Sequence, residues 1–449
     1  MHKIYLSLIL VSFAYAQSVS FDKILETTIK NSKDLQEQKL NIDSSKLDIA
    51  NVDSLSYGKL SLSEEMSRTN NAGYVFSYKL ASREASFRDF GFTQQSEGID
   101  VQPTDLNYPE DRNNFNTKLT YDIPLFTGFK LSNQKDILKL QEKANNIKYN
   151  LDVKELEFEV LKAYNSAVVA KDFIKALEKA KEAIVFMRNA AMAFHKEGLV
   201  TKIDVNEAKV YEANINSQLL ESKNNFQLAL AYLSFLSSDE TITDVQELKN
   251  LYFKFPNEKE LYTQALENRD EVKMQDIQVN ASKKNIDIAK ASYYPTVFSR
   301  LEYGYNDNTL TVDTDKDYYM AMVGISITLF DNTRSIEKQK SQIEYQKASL
   351  NQEKLKDAIK LELKKAMLNL ETKEKVLEEK IEAKTLANDI LEQAELQYKN
   401  RLISMTTLLQ QEANFRKNEA LLIQAKYEKS LALASLNLVL GKNIKEENN

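Results

Sequence analysis

The chain has 449 residues, of which 60 are Lys or Arg and 66 are Asp or Glu, so its formal net charge is −6. This acidic balance argues against nucleic acid as a partner, because nucleic-acid-binding surfaces are basic. The absence of cysteine excludes a disulfide framework, a lipid-modified cysteine and thiol chemistry, while only nine glycines and five prolines indicate long regular elements.

The N-terminal residues 1–16 have the three parts of a secretory signal peptide. A positive charge at Lys3 precedes an apolar segment over 4–13, and small residues surround a cleavage site that ends at Ala16. A membrane anchor is the alternative, but the apolar segment has about half of the roughly 20 residues that a spanning helix needs. We therefore expect an exported protein whose mature chain begins near Gln17.

A helix is predicted near the start of the mature chain, from Ser20 to Ser54, and its duplicate runs from Glu258 to Ser292. The duplication is clearest where residues 48–50 and 287–289 both read DIA. Pro295 ends the second copy, because proline disfavours helical geometry in the residue before it.

The apolar period changes to two after each of these helices, which predicts strands. The alternating segments are 115–125, 297–305 and 319–329, with a weaker one around Leu60 and Leu62. Each half therefore contributes two strands joined by an irregular loop. The first loop covers 70–114 and the second covers 307–317.

The predicted strands raise the question of what covers their apolar, tyrosine-rich faces. A soluble antiparallel sheet over a core is one answer. A tilted strand of about 9 to 11 residues also crosses a bilayer, and we favour this reading because a coiled-coil chain offers no obvious core for the sheet. Four strands cannot close a barrel and lipid does not tolerate an open edge, so several chains must pool their strands. Loop 70–114, which is rich in Gly, Pro and polar residues, is then predicted on the cell exterior.

Residues 130–196 contain no glycine or proline, and their apolar residues recur at alternating steps of three and four. This is the heptad pattern of a coiled coil, and a helix of this length spans roughly 100 Å at about 1.5 Å per residue. The chain turns at a tip near 197–204, and a second apolar stripe continues to Ser237. The two helices are predicted to pack antiparallel.

The second half repeats this plan, with a Gly- and Pro-free run over 334–440 and a tip near 400–407. A duplication of this size predicts two similar units related by pseudo-twofold symmetry. The predicted domains are a first repeat over 17–237, a linker over 238–257, a second repeat over 258–441 and a polar tail over 442–449.

Two local motifs, together with this duplicated plan, indicate a resemblance to a known family. Residues 123–128 read IPLFTG at the end of a predicted strand, and residues 198–205 read GLVTKIDV at the first tip. With the duplicated helix, strand, strand and hairpin unit, they resemble the TolC-like outer-membrane efflux factor family over essentially the whole mature chain. The second tip, RLISMTTL over 401–408, is similar but has arginine where the family often has glycine and threonine at the usual aspartate.

The resemblance implies a mainly α fold with a β-barrel portion. In the family a homotrimer forms a 12-stranded barrel in outer-membrane lipid on a long periplasmic α-helical tunnel. The implied function is the exit duct of a tripartite efflux pump. A periplasmic adaptor protein connects it to an inner-membrane pump of the resistance-nodulation-division or ABC type. A type I protein-secretion duct is the alternative within this class, and a coiled-coil structural protein of the cell envelope without a pore is the alternative outside it.

No catalytic, cofactor or metal site is predicted. The mature chain contains one histidine, His195, and no GxGxxG or Walker-type loop. We interpret His195 as a solvated histidine at a helix end, since the sequence offers no second metal ligand near it.

The tips are the candidate functional sites, because both carry apolar residues where a solvated turn is ordinarily polar. These residues either staple the hairpin or bind an adaptor, as the family suggests. The candidate adaptor-binding residues are Gly198, Leu199, Val200, Thr201, Arg401, Leu402, Ile403 and Ser404.

The resemblance also implies a periplasmic gate at the tips, in which an aspartate joins a polar network. The candidates here are Asp204, Arg401, Thr407 and Gln410. Thr407 and Gln410 occupy the positions of the family's acidic ring, and Arg401 is the candidate substitute for an arginine expected at Ile403. A capping box formed with Thr201 is the alternative for Asp204. If it is a gate residue, we expect Asp204 to face Arg401 across a subunit or hairpin contact.

Overall fold

The structure is a computed structural model that describes residues 18–247 and 257–444. The predicted signal peptide lies outside these residues, as do parts of the predicted linker and tail. The chain divides into two compact units. The sheet unit consists of residues 42–143 and 277–350, and the helical unit contains the other described residues.

Apart from two additional helices between the strands of the first half, the chain follows the same order of helices and strands twice. The first half contains α1 (Phe21–Asn31), α2 (Lys33–Ser56), β1 (Lys59–Thr69), α3 (Ala72–Ala81), α4 (Thr104–Asn107), β2 (Arg112–Phe126), α5 (Lys130–Lys196) and α6 (Lys202–Ser237). The second half contains α7 (Glu258–Asn268), α8 (Asp270–Ala291), β3 (Thr296–Asp307), β4 (Asp317–Ser326), α9 (Thr333–Lys399) and α10 (Met405–Val439). The predicted fold class, mainly α with a small antiparallel β portion, is confirmed. No described helix is long and apolar enough to cross a membrane.

The two predicted N-terminal helices are each broken, which corrects the prediction of continuous helices. The break follows an 11-residue helix in both repeats, at Ser32 with ψ 123° and at Arg269 with ψ 127°. The Ser32 hydroxyl accepts a hydrogen bond from the amide of Leu35 at 3.3 Å, as an N-cap does for a new helix. The Arg269 guanidinium binds Glu271 at 2.6 Å and Glu362 at 2.5 Å.

In the sheet unit the strands pair antiparallel in the order β1-β2-β3-β4, so β1 and β4 are the edges. Leu62 lies opposite Leu119, Leu119 opposite Tyr303, and Tyr303 opposite Tyr319. The strand predicted over 319–329 corresponds to β4, which ends three residues earlier than predicted, at Ser326. The segment after it is held by Arg334, whose guanidinium donates to the carbonyl of Thr328 at 2.9 Å.

The glycine of the IPLFTG motif lies where β2 turns into α5. Gly128 has φ 61°, and a Cβ atom there would lie 2.7 Å from the carbonyl oxygen of Ala291. A larger residue would meet this backbone and adopt a left-handed conformation that only glycine enters freely.

The segment between β1 and β2 is not irregular throughout, contrary to the prediction. It folds into α3, two short 3-10 helices (Phe87–Phe90 and Phe92–Glu97) and α4. Asn71 caps α3 by accepting hydrogen bonds from the amides of Gly73 and Tyr74.

Equivalent cores stabilise the two halves of the helical unit. In the first half, α1, α5 and α6 pack around the buried residues Ile24, Tyr164 and Leu233. In the second half, α7, α9 and α10 pack around Leu261 and Leu363. A third core joins both hairpins near their tips.

Candidate functional site

The two tips share one turn geometry. Gly198 and Arg401 both adopt left-handed backbone conformations, with φ 72° and 63°. The amide of each donates at 2.9 Å to the carbonyl three residues earlier, and the following amide donates to the carbonyl five residues earlier. These bonds satisfy the free carbonyls at the helix end. Arg401 therefore occupies the position of the first tip's glycine, where a side chain carries a steric cost.

Asp204 caps the helix that follows the first tip. Its carboxylate accepts hydrogen bonds from the Thr201 amide at 3.0 Å and the Thr201 hydroxyl at 2.6 Å. The Thr201 hydroxyl holds the pKa of Asp204 below its ordinary value, and the backbone amides of Thr201 and Met405 act in the same direction. Because Met405 is the first residue of α10, Asp204 lies near the N-termini of both α6 and α10, where a negative charge is favoured.

The pairing of Asp204 with Arg401 across a subunit contact stays a prediction. Among the described residues no ion pair joins Asp204 and Arg401, and the carboxylate instead faces Thr201 and Met405. The sequence missed Tyr398, which is buried near this carboxylate and whose hydroxyl has no hydrogen-bond partner among the described residues. Burial raises the pKa of Tyr398, and the charge of Asp204 adds to the shift.

The second tip has a neutral version of the same cap. The Ser404 hydroxyl accepts a hydrogen bond from the amide of Thr407 at 3.2 Å and lies 3.1 Å from its hydroxyl. Gln410 lies exposed on α10. Thr406 connects the tips, because its hydroxyl lies 2.9 Å from a carboxylate oxygen of Glu207 on α6.

The apolar tip residues divide into two classes. Leu199 is 46% exposed and Leu402 is 73% exposed, so both present apolar surface to solvent. Val200 is half-buried, and Ile403 packs against the core that joins the hairpins. The sequence analysis did not include Ile203 among the tip residues, and this side chain is also exposed, four positions after Leu199.

The core that joins the hairpins contains side chains from four helices. Its buried residues include Met187 on α5, Val205 on α6, Leu391 on α9, and Met405 and Leu408 on α10. This core fixes the two tips side by side, since burial of each large apolar side chain contributes roughly 1.5 to 3 kcal/mol.

A buried carboxylate near this core was not predicted. Glu412 is fully buried, accepts a hydrogen bond from the Arg416 guanidinium at 2.7 Å, and has a second oxygen without a partner among the described residues. Burial raises the pKa of Glu412 despite the charge of Arg416. Burial also raises the pKa of Tyr211 to about 12, with the charge of Glu412 as the next cause.

His195 contacts the backbone of its own turn. Its Nδ1 atom lies 3.0 Å from the carbonyl oxygen of Val200. The described residues contain no group of three or more His, Cys, Asp or Glu side chains that could hold a metal ion.

The sheet has two unlike faces. We define the apolar face by the side chains that alternate through the pairing register, which are Leu60, Leu62, Leu119, Tyr121, Leu301, Tyr303, Tyr319, Val323 and Ile325. The polar face carries Ser63, Glu65, Ser67, Asn114, Asn116, Lys118, Arg300 and Glu302. The apolar face is open, with Leu62 73% exposed and Tyr319 85% exposed. A sheet in water shows the opposite arrangement, because its apolar face covers a core.

The sequence matches the model of one protein family. The model of the outer membrane efflux protein family matches residues 24–237 and 261–442. The chain belongs to this family. No curated protein matches the chain significantly by sequence.

Solved structures of outer-membrane channels have the same fold as this family member. The CmeC outer membrane channel of Campylobacter jejuni is 14% identical with a TM-score of 0.74, covering 95% of this chain and 87% of CmeC. The outer membrane protein VceC of Vibrio cholerae is 15% identical with a TM-score of 0.74, covering 95% and 97% of the two chains. The MtrE outer membrane channel of Neisseria gonorrhoeae, in its open state, is 14% identical with a TM-score of 0.74, covering 96% and 90%.

Membership places the protein in the outer membrane, with its helical part in the periplasm, as an efflux channel and not an enzyme. The predicted family and location are thereby confirmed.

Proposed function

We propose that three copies of this chain form one exit duct for efflux. Their strands would pool into a twelve-stranded barrel in outer-membrane lipid, and their helices into a periplasmic tunnel. An inner-membrane pump of the resistance-nodulation-division or ABC type would deliver the substrate through a periplasmic adaptor protein. The duct itself conducts passively.

The observation that carries this proposal is the exposed apolar face of a sheet with two free edges. Lipid covers an apolar face without cost, but the unpaired backbone groups of β1 and β4 must be satisfied there. Pairing β4 of one copy with β1 of the next satisfies them and closes the barrel.

The helices attached to the edge strands support the same assembly. α2 leads into β1 and carries Leu40 and Leu47, and α9 follows β4 and carries Ile336, Ile343 and Leu350. All five side chains are exposed and recur seven residues apart within each helix. A heptad stripe that stays exposed among the described residues fits a helix of a neighbouring copy.

The tips are the proposed adaptor site. Exposed Leu199 and Leu402 would enter an adaptor's apolar groove. The other tip residues, Gly198, Val200, Thr201, Arg401, Ile403 and Ser404, shape the two turns.

The same end is the proposed gate, with Asp204, Arg401, Thr407 and Gln410 at its constriction. A partly exposed ion pair between Asp204 and Arg401 of neighbouring copies would stabilise the closed gate by about 0.2 to 1 kcal/mol. The symmetry of the trimer would provide three such pairs.

Purified protein in planar bilayers tests the function. We expect discrete conductance steps from a detergent-extracted trimer recovered from the outer-membrane fraction. A soluble periplasmic monomer without steps would identify a structural coiled-coil protein and contradict the proposal.

Variants of the tips test the gate. Asp204→Ala and Arg401→Ala should each raise the resting conductance. If Asp204 only caps α6, its replacement should instead lower stability by about 1 kcal/mol and leave conductance unchanged. Asp239→Ala is the matched control, because Asp239 makes the same kind of bonds to Thr241 in a turn away from the tips.

A further inference from the structure

The folded segment between β1 and β2, residues 72–111, lies against the polar face of the sheet. Ser67 is on that face of β1, and its hydroxyl lies 3.2 Å from the hydroxyl of Tyr78 on α3. Arg112 is on the same face of β2, and its guanidinium donates to the Ser82 hydroxyl at 2.8 Å. Asn114, which also belongs to the polar face, is buried.

Charged groups fasten this segment to the connection between β3 and β4. The Arg83 guanidinium donates to the carbonyl of Asp315 at 2.7 Å and to that of Asp317 at 2.5 Å. The Lys316 ammonium lies 2.6 Å from Glu84 and 2.6 Å from Asp307, which is itself buried. We call Arg83, Glu84, Arg112 and Lys316 the latch, since Arg112 also pairs with Glu84.

Glu84 in the latch is ionised at neutral pH. Burial alone would raise the pKa of Glu84, but hydrogen bonds from Lys316 and Arg112 hold it below its ordinary value. Charge-assisted bonds of this kind are about twice as strong as neutral ones.

The segment is a folded body with contacts of its own. Phe76 and Phe90 meet edge to face with ring centroids 4.8 Å apart, and Phe87 and Phe92 do so at 5.5 Å. Val75 is buried within it. The connection is therefore ordered by its own helices and ring contacts.

We propose that residues 72–111 form a lid inside the outer mouth of the channel, held over the polar face by the latch. The proposal rests on the proposed barrel, in which the apolar face meets lipid and the polar face therefore lines the lumen. Each of the three subunits would place one lid in the lumen. The lids would narrow the pore within the barrel.

Single-channel recording in planar bilayers tests the lid. Replacing Arg83 and Lys316 together by methionine should increase the unitary conductance. Arg88→Met is the matched control, because Arg88 pairs at 3.2 Å with Asp105, so that both partners of this ion pair lie inside the lid. Equal conductance steps from wild type and latch variant would overturn the lid and leave the channel intact. The absence of steps from every protein would overturn the proposed function.

Thiol labelling provides a second readout that does not depend on pore charge. The chain contains no cysteine, so Ser67→Cys places one thiol on the polar face beneath Tyr78. A membrane-impermeant maleimide should modify this thiol slowly in the reconstituted protein and faster when the latch is replaced. Arg88→Met should leave the rate unchanged. Equal rates with and without the latch would contradict the lid.

Discussion

Arg401 is the residue at which the second tip departs from the first. A residue with a side chain loses about 1 to 2 kcal/mol of stability in this left-handed conformation. Glycine instead lowers stability by about 0.5 to 1 kcal/mol, because its unfolded chain has more conformational freedom. We expect Arg401→Gly to stabilise the tip by up to about 1 kcal/mol and Gly198→Arg to destabilise it. Hydrogen exchange of the amides around each turn measures both effects. A less stable Arg401→Gly variant would mean that the arginine side chain makes a contact in the assembled trimer.

Glu412 gives the second tip a dependence on pH. Because its pKa is raised in the folded chain, the folded state holds this proton more tightly than the unfolded state. Stability should therefore fall as pH rises from the ordinary carboxyl pKa of about 4.3 through the raised value. The charged or titratable groups facing Glu412 are Arg416 and Glu419 on α10, Glu395 on α9 and Tyr211 on α6.

The variant Glu412→Gln tests this dependence. It should lose less stability than wild type between pH 4 and neutral pH in thermal unfolding or hydrogen exchange of α10. Glu419→Gln is the control, because Glu419 also contacts Arg416, at 2.8 Å, but is less buried. Destabilisation by Glu412→Gln at neutral pH would show that the ion pair with Arg416 outweighs the cost of burial.

An epitope inserted in the lid tests on which side of the membrane this end of the sheet lies. Gly98 has φ 121°, and no atom of the described residues lies within 4 Å of a Cβ placed there, so an inserted sequence has room. We expect an epitope at Gly98 to bind antibody on intact cells. An epitope at Glu240, in a turn of the helical unit, should bind only after permeabilisation. The reverse pattern would reverse the proposed topology.

For the whole molecule, the heptad stripes beside the edge strands predict where copies meet. Ile343 is exposed in the single chain, and its burial against a neighbouring copy would contribute roughly 1.5 to 3 kcal/mol. Ile343→Glu should therefore lower the dissociation temperature of the trimer in detergent. Gln342→Glu adds the same charge at the adjacent exposed position and should have little effect. Equal losses from both variants would remove this stripe from the interface.

The sequence by itself determined the elements and their duplication. Residues 130–196 form one helix with the predicted bounds, and the period of two located all four strands, because both patterns arise from hydrogen bonding and side-chain spacing between residues near in sequence. The cap at Asp204 was predicted as one of two alternatives for the same reason, since Thr201 lies three residues away.

Only the tertiary structure decided the features that depend on distant residues. Arg269 breaks its helix while binding Glu362, and Met405 rather than Arg401 faces Asp204 across the tips. The lid depends on pairs such as Lys316 with Glu84, and no local pattern in either segment indicates its partner. Periodicity records which side of an element is apolar, but the identity of the opposing side chain is fixed only when the chain packs.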